Sequence, residues 1–121
     1  GGLIIGHETA RALGVPFAFT ERADGVMVLR RGFAVIPGQR VVIVEDVVTT
    51  GKSTREVIDV LTTAGADVVG LASLVNRSGV ANPFEPRPYR ALLEVAFPTW
   101  PAETCPPGCR RHLTPPTSAW V

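Results

Sequence analysis

Four consecutive β-branched residues, Val41-Val42-Ile43-Val44, lead through a small hydroxyl-bearing loop and a helix into a second apolar run, all within about 35 residues. A β-branched run without alternation is a strand apolar on both faces, the pattern of a central strand in a helix-covered parallel sheet. Between the two runs, Val57, Ile58, Leu61 and Ala64 make one stripe on a helix predicted over 53–64, and Gly65 stands where a left-handed C-terminal cap belongs. Val68 to Val75 is the second buried strand. Strand, loop, helix and strand in that order predict a βαβ unit with adjacent parallel strands, so the expected fold class is α/β.

The rest of the chain is read with less constraint. Ile5, Thr9, Ala12 and Leu13 fit one face of a helix over 3–13, stopped by Gly14 and Pro16. Phe17 to Thr20 reads as a short strand, Asp24-Gly25 as a hairpin turn, and Val26 to Leu29 as the returning strand. Residues 91–95 predict a last strand. Six prolines from Pro98 onward mark 98–121 as an extended or disordered tail, which leaves 1–97 as the core. No repeat is visible. The opening Gly1-Gly2-Leu3 lacks an initiator Met and reads as a cut edge inside a domain.

Composition excludes several classes. At 121 residues with 45% apolar and 19% charged content, one ordinary globular domain is expected. Net charge is +1 and basic residues never run beyond a pair, which argues against a nucleic-acid or membrane surface. No apolar stretch approaches a membrane span and no signal peptide opens the chain, so a cytoplasmic protein is expected. Cys105 and Cys109 cannot form a disulfide framework, and with His112 they fall short of the four regularly spaced ligands of a structural zinc.

The chemistry is concentrated in Glu45-Asp46-Val47-Val48-Thr49-Thr50-Gly51-Lys52-Ser53. Two carboxylates are expected to end the strand, beyond whose carboxyl edge open α/β sheets bind their ligands. The loop from Thr49 to Ser53 offers backbone N–H groups and three hydroxyls at a helix N-terminus, which makes a phosphate cradle. Gly51-Lys52-Ser53 is not a nucleoside-triphosphate P-loop. The upstream glycine of that motif would fall at Asp46, and both acids precede the loop. Carboxylates beside a phosphate would repel it unless they bind something else, and sugar hydroxyls or a magnesium shell are the natural candidates.

Val-Val-Ile-Val-Glu-Asp-Val-Val-Thr-Thr-Gly-Lys-Ser resembles the phosphoribosyl pyrophosphate (PRPP) signature of the type I phosphoribosyltransferases, most closely of their orotate branch. Gly1-Gly2-Leu3-Ile4-Ile5-Gly6 with Ala10 to Gly14, Arg30-Arg31-Gly32-Phe33 and Asn76-Arg77-Ser78-Gly79 resemble the same branch, so the likeness covers residues 1–97. It implies a parallel-sheet, Rossmann-like core, truncated at its N-terminus. It also implies that Glu45 and Asp46 contact the ribose hydroxyls, that Val47 to Ser53 hold the 5-phosphate, and that Thr49 and Arg77 contact orotate. Magnesium would ride on PRPP, with no direct protein ligand set, and the enzyme would be a homodimer. Arg22 stands where the family's mobile loop begins, and a pyrophosphate contact in a neighbouring subunit is implied for it.

Plainer readings stand beside these. Arg77 and Arg22 are each readable as solvated surface charges, Lys52 as a side chain pointing to water, and His7 as structural. The family's loop lysine and histidine are missing between Thr20 and Phe33, where only arginines stand. A transferase for a purine or uracil, with Phe84 or Tyr89 stacking on the base, and a PRPP-sensing regulator without catalysis are the alternatives. The fragment alone is expected to be poorly active and to self-associate.

Overall fold

The computed structural model describes residues 1–97 and residue 104; the proposed tail, with Cys105, Cys109 and His112, otherwise lies outside the described residues. The elements are α1 (Leu3–Leu13), β1 (Thr20–Ala23), β2 (Val26–Leu29), β3 (Arg40–Val48), α2 (Lys52–Thr63), β4 (Asp67–Asn76) and β5 (Tyr89–Glu94). β1 and β2 form an antiparallel hairpin, while β3, β4 and β5 form a separate three-stranded sheet in that spatial order. Both pairings in the larger sheet are parallel, and α2 is the connection between β3 and β4. The α/β expectation and the βαβ unit hold.

Helix α2 forms where the stripe predicted it. Val57, Ile58 and Leu61 are buried on one face and pack with Ile43, Val68, Leu71, Phe84 and Tyr89 into the core. Each such side chain contributes about 1.5–3 kcal/mol by leaving water. Ala64 ends the helix and Gly65, at φ +89°, takes the left-handed position that follows. Its closeness to Pro37, whose Cα would lie 3.3 Å from a Cβ on residue 65, lets Gly38 donate to the Gly65 carbonyl.

Three expectations are corrected. Among the described residues β3 is an edge strand and β4 the central one: the four-residue run reports apolar side chains, not neighbours, and Val42 is in fact 58% exposed. β3 also does not stop at the acidic pair. Ladder pairing of Val47 with Val75 and Val48 with Asn76 carries it three residues beyond Glu45. Finally, the hairpin's first strand is Thr20–Ala23, not Phe17 to Thr20. The Asp24-Gly25 turn pairs Ala23 with Val26 and so sets the ladder, while Phe17 and Phe19 pack with Phe33 as a ring cluster. His7 meets the same cluster edge-on at Phe17, in keeping with a structural role.

Candidate active site

All three parallel strands end on one edge, and the predicted residues gather there. β3 carries Glu45 and Asp46 in its last turn of pleat, then Thr49-Thr50-Gly51 leads directly into α2. Consecutive strand residues face opposite ways, yet one turn reaches both acids. A Cβ on Gly2 would lie 2.8 Å from the Val44 carbonyl oxygen and 3.0 Å from Glu45 Oε2, and one on Gly1 would overlap the Asp46 carboxylate. The Gly1–Gly2 turn therefore closes over the acidic pair at a distance that excludes side chains. It also brings the N-terminus of α1, which has no acid in its first turn and no side-chain cap, up against the carboxyl half of β3.

The acids are not neutralised by side chains. No cationic side chain among the described residues pairs with either one. Asp46 Oδ1 accepts a hydrogen bond from the Val47 N–H at 2.7 Å, which fixes its rotamer. Burial pushes the Glu45 carboxyl above the ordinary glutamate range, the Asp46 charge adds to the shift, and the amino terminus at Gly1 pulls the other way. Two adjacent carboxylates held so suit hydroxyl donors or a hydrated cation. Among the described residues no three His, Cys, Asp or Glu side chains cluster as a metal cage.

The loop beyond them is an empty-handed helix N-terminus. Gly51 is the N-cap at φ +72°, there is no side-chain cap, and no acidic residue stands in the first turn of α2. Among the described residues the N–H groups of Gly51, Ser53 and Thr54 meet no acceptor, while Lys52 N–H reaches only Thr50 Oγ1, at 3.3 Å. Thr49, Thr50, Lys52 and Ser53 are exposed and Gly51 is buried beneath them. Open hydroxyls, free amides and a helix dipole are together suited to receive an anion.

Arg77 joins this edge through its backbone. Its N–H donates to the Val48 carbonyl at 2.7 Å, which sets residue 77 beside Thr49. Buried Asn76 shapes the turn that follows, accepting from Ser78 N–H and Oγ and donating to the Val80 carbonyl. The Arg77 guanidinium lies 5.1 Å from the centre of the Phe97 ring, so the cation is braced by an aromatic face rather than a carboxylate. Arg22, by contrast, is not brought to the loop. It bonds to the Gly25 carbonyl at 2.9 Å and pairs with Glu56 on α2.

Phe84 and Tyr89 are not base platforms. They are 4% and 2% exposed, stack edge-on with each other, and Tyr89 Oη shares a 2.6 Å hydrogen bond with Ser73. Sequence reasoning passed over Arg55 on α2, whose guanidinium bonds the Thr50 carbonyl from behind the loop. A cation in the first helical turn, where the dipole disfavours one, was the available signal.

Comparison with known proteins agrees with this geometry. The chain matches the phosphoribosyl transferase domain family over residues 1–106. It is 50% identical to an orotate phosphoribosyltransferase of Sphingopyxis alaskensis and 52% identical to one of Heliobacterium modesticaldum, each alignment covering 88% of this chain and 55% of the relative. The chain thus spans about half the length of the curated relatives it matches. Its fold is similar to that of adenine phosphoribosyltransferase from Thermoanaerobacter pseudethanolicus, with a TM-score of 0.63 at 21% identity over 78% of this chain and 64% of that one. The match over residues 1–106, on a chain that folds as a parallel α/β sheet, identifies it as a member of the phosphoribosyltransferase family.

Proposed function

We propose that the protein carrying this chain is an orotate phosphoribosyltransferase, which transfers the 5-phosphoribosyl group of PRPP to orotate and releases pyrophosphate. The observation that carries the reading is the Arg77–Val48 backbone bond, which sets the main chain of an exposed arginine beside Thr49, where the loop begins. A planar carboxylated pyrimidine is the base such a pair recognises. The identity to named orotate enzymes supports the same choice.

In this reading Val47 to Ser53 bind the 5-phosphate, with the free amides of Gly51, Ser53 and Thr54 as principal donors. Glu45 and Asp46 accept hydrogen bonds from the ribose 2- and 3-hydroxyls. As the bond from C1 to pyrophosphate breaks, positive charge develops on the sugar ring, and the two preorganised carboxylates stabilise it. Magnesium bound to PRPP would supply charge neutralisation at the pyrophosphate. Thr49 and Arg77 hold orotate so that its ring nitrogen attacks C1. Arg22 would reach pyrophosphate only after leaving Glu56, and a homodimer would let it act on a neighbouring subunit.

The test is turnover by the full-length protein with PRPP, magnesium and a panel of orotate, uracil, adenine and hypoxanthine. Orotidine 5-phosphate formation from orotate alone is expected. Preference for a purine would overturn the base assignment. PRPP binding with no turnover on any base would make the protein a sensor instead.

A further inference from the structure

The first turn of α2 holds two cations where helices favour acids, and one of them, the exposed Arg55, is turned back onto the loop. Arg55 Nη1 donates to the Thr50 carbonyl at 2.8 Å and Nη2 to the Pro83 carbonyl at 2.8 Å, partners on either side of it in the chain. Its guanidinium carbon also lies 5.6 Å from the centre of the Phe84 ring. Phe84 is buried, and its Cε1 would stand 2.9 Å from a Cβ on Gly51, so the ring is the floor on which the loop rests. Arg55 therefore links three things: the phosphate loop, the segment after β4, and the aromatic ring between them.

The consequence lies in one peptide plane. In a trans peptide the carbonyl and the N–H point in opposite directions. Arg55 draws the Thr50 carbonyl back toward Phe84, and the Gly51 N–H must then point to the open side of the loop. Without that hold, the Thr50–Gly51 peptide is free to turn over, because glycine tolerates either hand of φ. We propose that Arg55 is a positioning residue that fixes the Thr50–Gly51 peptide, and with it the whole cradle from Thr49 to Ser53, in the form that receives a sugar 5-phosphate. It acts on the phosphate through the loop, not by touching it, and its charge adds to the positive potential of the α2 N-terminus. The proposal rests on the PRPP reading above.

The experiment compares Arg55→Ala and Arg55→Lys with wild type in the full-length protein. Calorimetry reads ribose 5-phosphate binding, steady-state kinetics reads the PRPP KM and kcat, and melting temperature is recorded beside them. Arg55→Ala is expected to weaken ribose 5-phosphate binding and raise the PRPP KM about tenfold, the loss of one charge-assisted hydrogen bond, with kcat within about twofold. Arg55→Lys keeps the charge but lacks the planar fork that spans both carbonyls, so it should stay at least about threefold weakened. A merely structural arginine would lower melting temperature and active fraction while leaving Kd and KM unchanged, and that result overturns the proposal. Arg55→Lys at wild-type affinity also overturns it, since charge alone would then suffice; this variant carries the test if Arg55→Ala does not fold. Wild-type protein that binds neither ribose 5-phosphate nor PRPP sinks the PRPP reading itself. Wild-type binding matched by Arg55→Ala sinks only the role given to Arg55.

Discussion

The β3–α2 crossover and the β1–β2 hairpin handle charge in opposite ways. In the hairpin, Arg30 pairs with Glu21 at 2.6 Å and Arg22 pairs with Glu56 across to α2, so these charges are answered within the protein. In the crossover, Glu45 and Asp46 meet no cationic side chain among the described residues, and the α2 N-terminus has no cap. The packing is reversed as well. The crossover supplies half of the buried core, whereas no residue of β1 or β2 is fully buried. A rigid scaffold thus holds unsatisfied groups, and a lightly packed ribbon holds satisfied ones. Unsatisfied charge on a rigid base is what a preorganised ligand site requires.

The most severe way to break that contrast is to neutralise one of the unanswered acids. Asp46→Asn keeps shape and hydrogen-bonding capacity, so PRPP binding by the full-length protein should weaken only modestly. Turnover should fall on the order of 100-fold, because the charge matters most where positive charge develops at C1. Steady-state kinetics check it, and unchanged turnover would reduce the acidic pair to a structural feature of β3. If Thr50 holds the phosphate as proposed, Thr50→Val removes that contact in ground and transition states alike and should raise KM more than it lowers kcat.

A second comparison sets two glycines against each other. Gly51 in the crossover and Gly25 in the hairpin both sit at positive φ, +72° and +81°. A Cβ on Gly51 would press on Phe84 and Arg55, while one on Gly25 would meet nothing within 4 Å. Gly25→Ala should therefore cost only the left-handed conformational penalty, about 1 kcal/mol. Gly51→Ala should add overpacking and cost about 3 kcal/mol, measured by denaturant unfolding. Equal losses at the two sites would mean that the loop floor yields, and the rigid half of the contrast would fail.

Much of this division was legible in the residues, for physical reasons that also explain the failures. Periodicity of 3.6 along Val57, Ile58 and Leu61, with Gly65 behind them, encodes α2 locally, and the order of elements then dictates parallel pairing. The acidic pair and the anion loop are contiguous, so their chemistry could be read from one stretch. The edge position of β3 and its extension to Val48 depend instead on which strand lies alongside, which no local pattern states. Arg55 and Pro83 are 28 residues apart and meet only through the fold. The misplaced first hairpin strand was avoidable: a two-residue turn at Asp24-Gly25 pairs residue 23 with 26 and residue 20 with 29.

Glu45 sharpens the contrast through pH. Burial raises its pKa, so the folded chain holds that proton more tightly than the unfolded chain does. Stability contributed by this group is therefore present at low pH and declines as pH rises from the ordinary glutamate value of 4.5 through the raised folded value. Glu45→Gln removes the cost of the buried charge. The variant should melt slightly above wild type at neutral pH, and the gap should close below pH 4.5, where wild-type Glu45 is also neutral. Thermal melts across that range check it; a gap independent of pH would show that the carboxylate is not under electrostatic strain. Lost turnover alongside gained stability would mark the charge as functional.

The smallest effect is expected where the hairpin meets α2. The Arg22 and Glu56 side chains are 46% and 30% exposed, so water and salt screen the pair that joins them. A double-mutant cycle with Arg22→Ala and Glu56→Ala should return a coupling of about 0.2–1 kcal/mol, shrinking as salt is added. That weak tie is what a ribbon needs if its arginine is to leave α2 for a polyphosphate, since a partner need only outbid a contact of that size. If it does, saturating PRPP should reduce the measured coupling toward zero, because Arg22 would then have another anion to meet. A coupling above about 2 kcal/mol that survives salt would make the hairpin as fixed as the crossover, and would place Arg22 permanently outside the site.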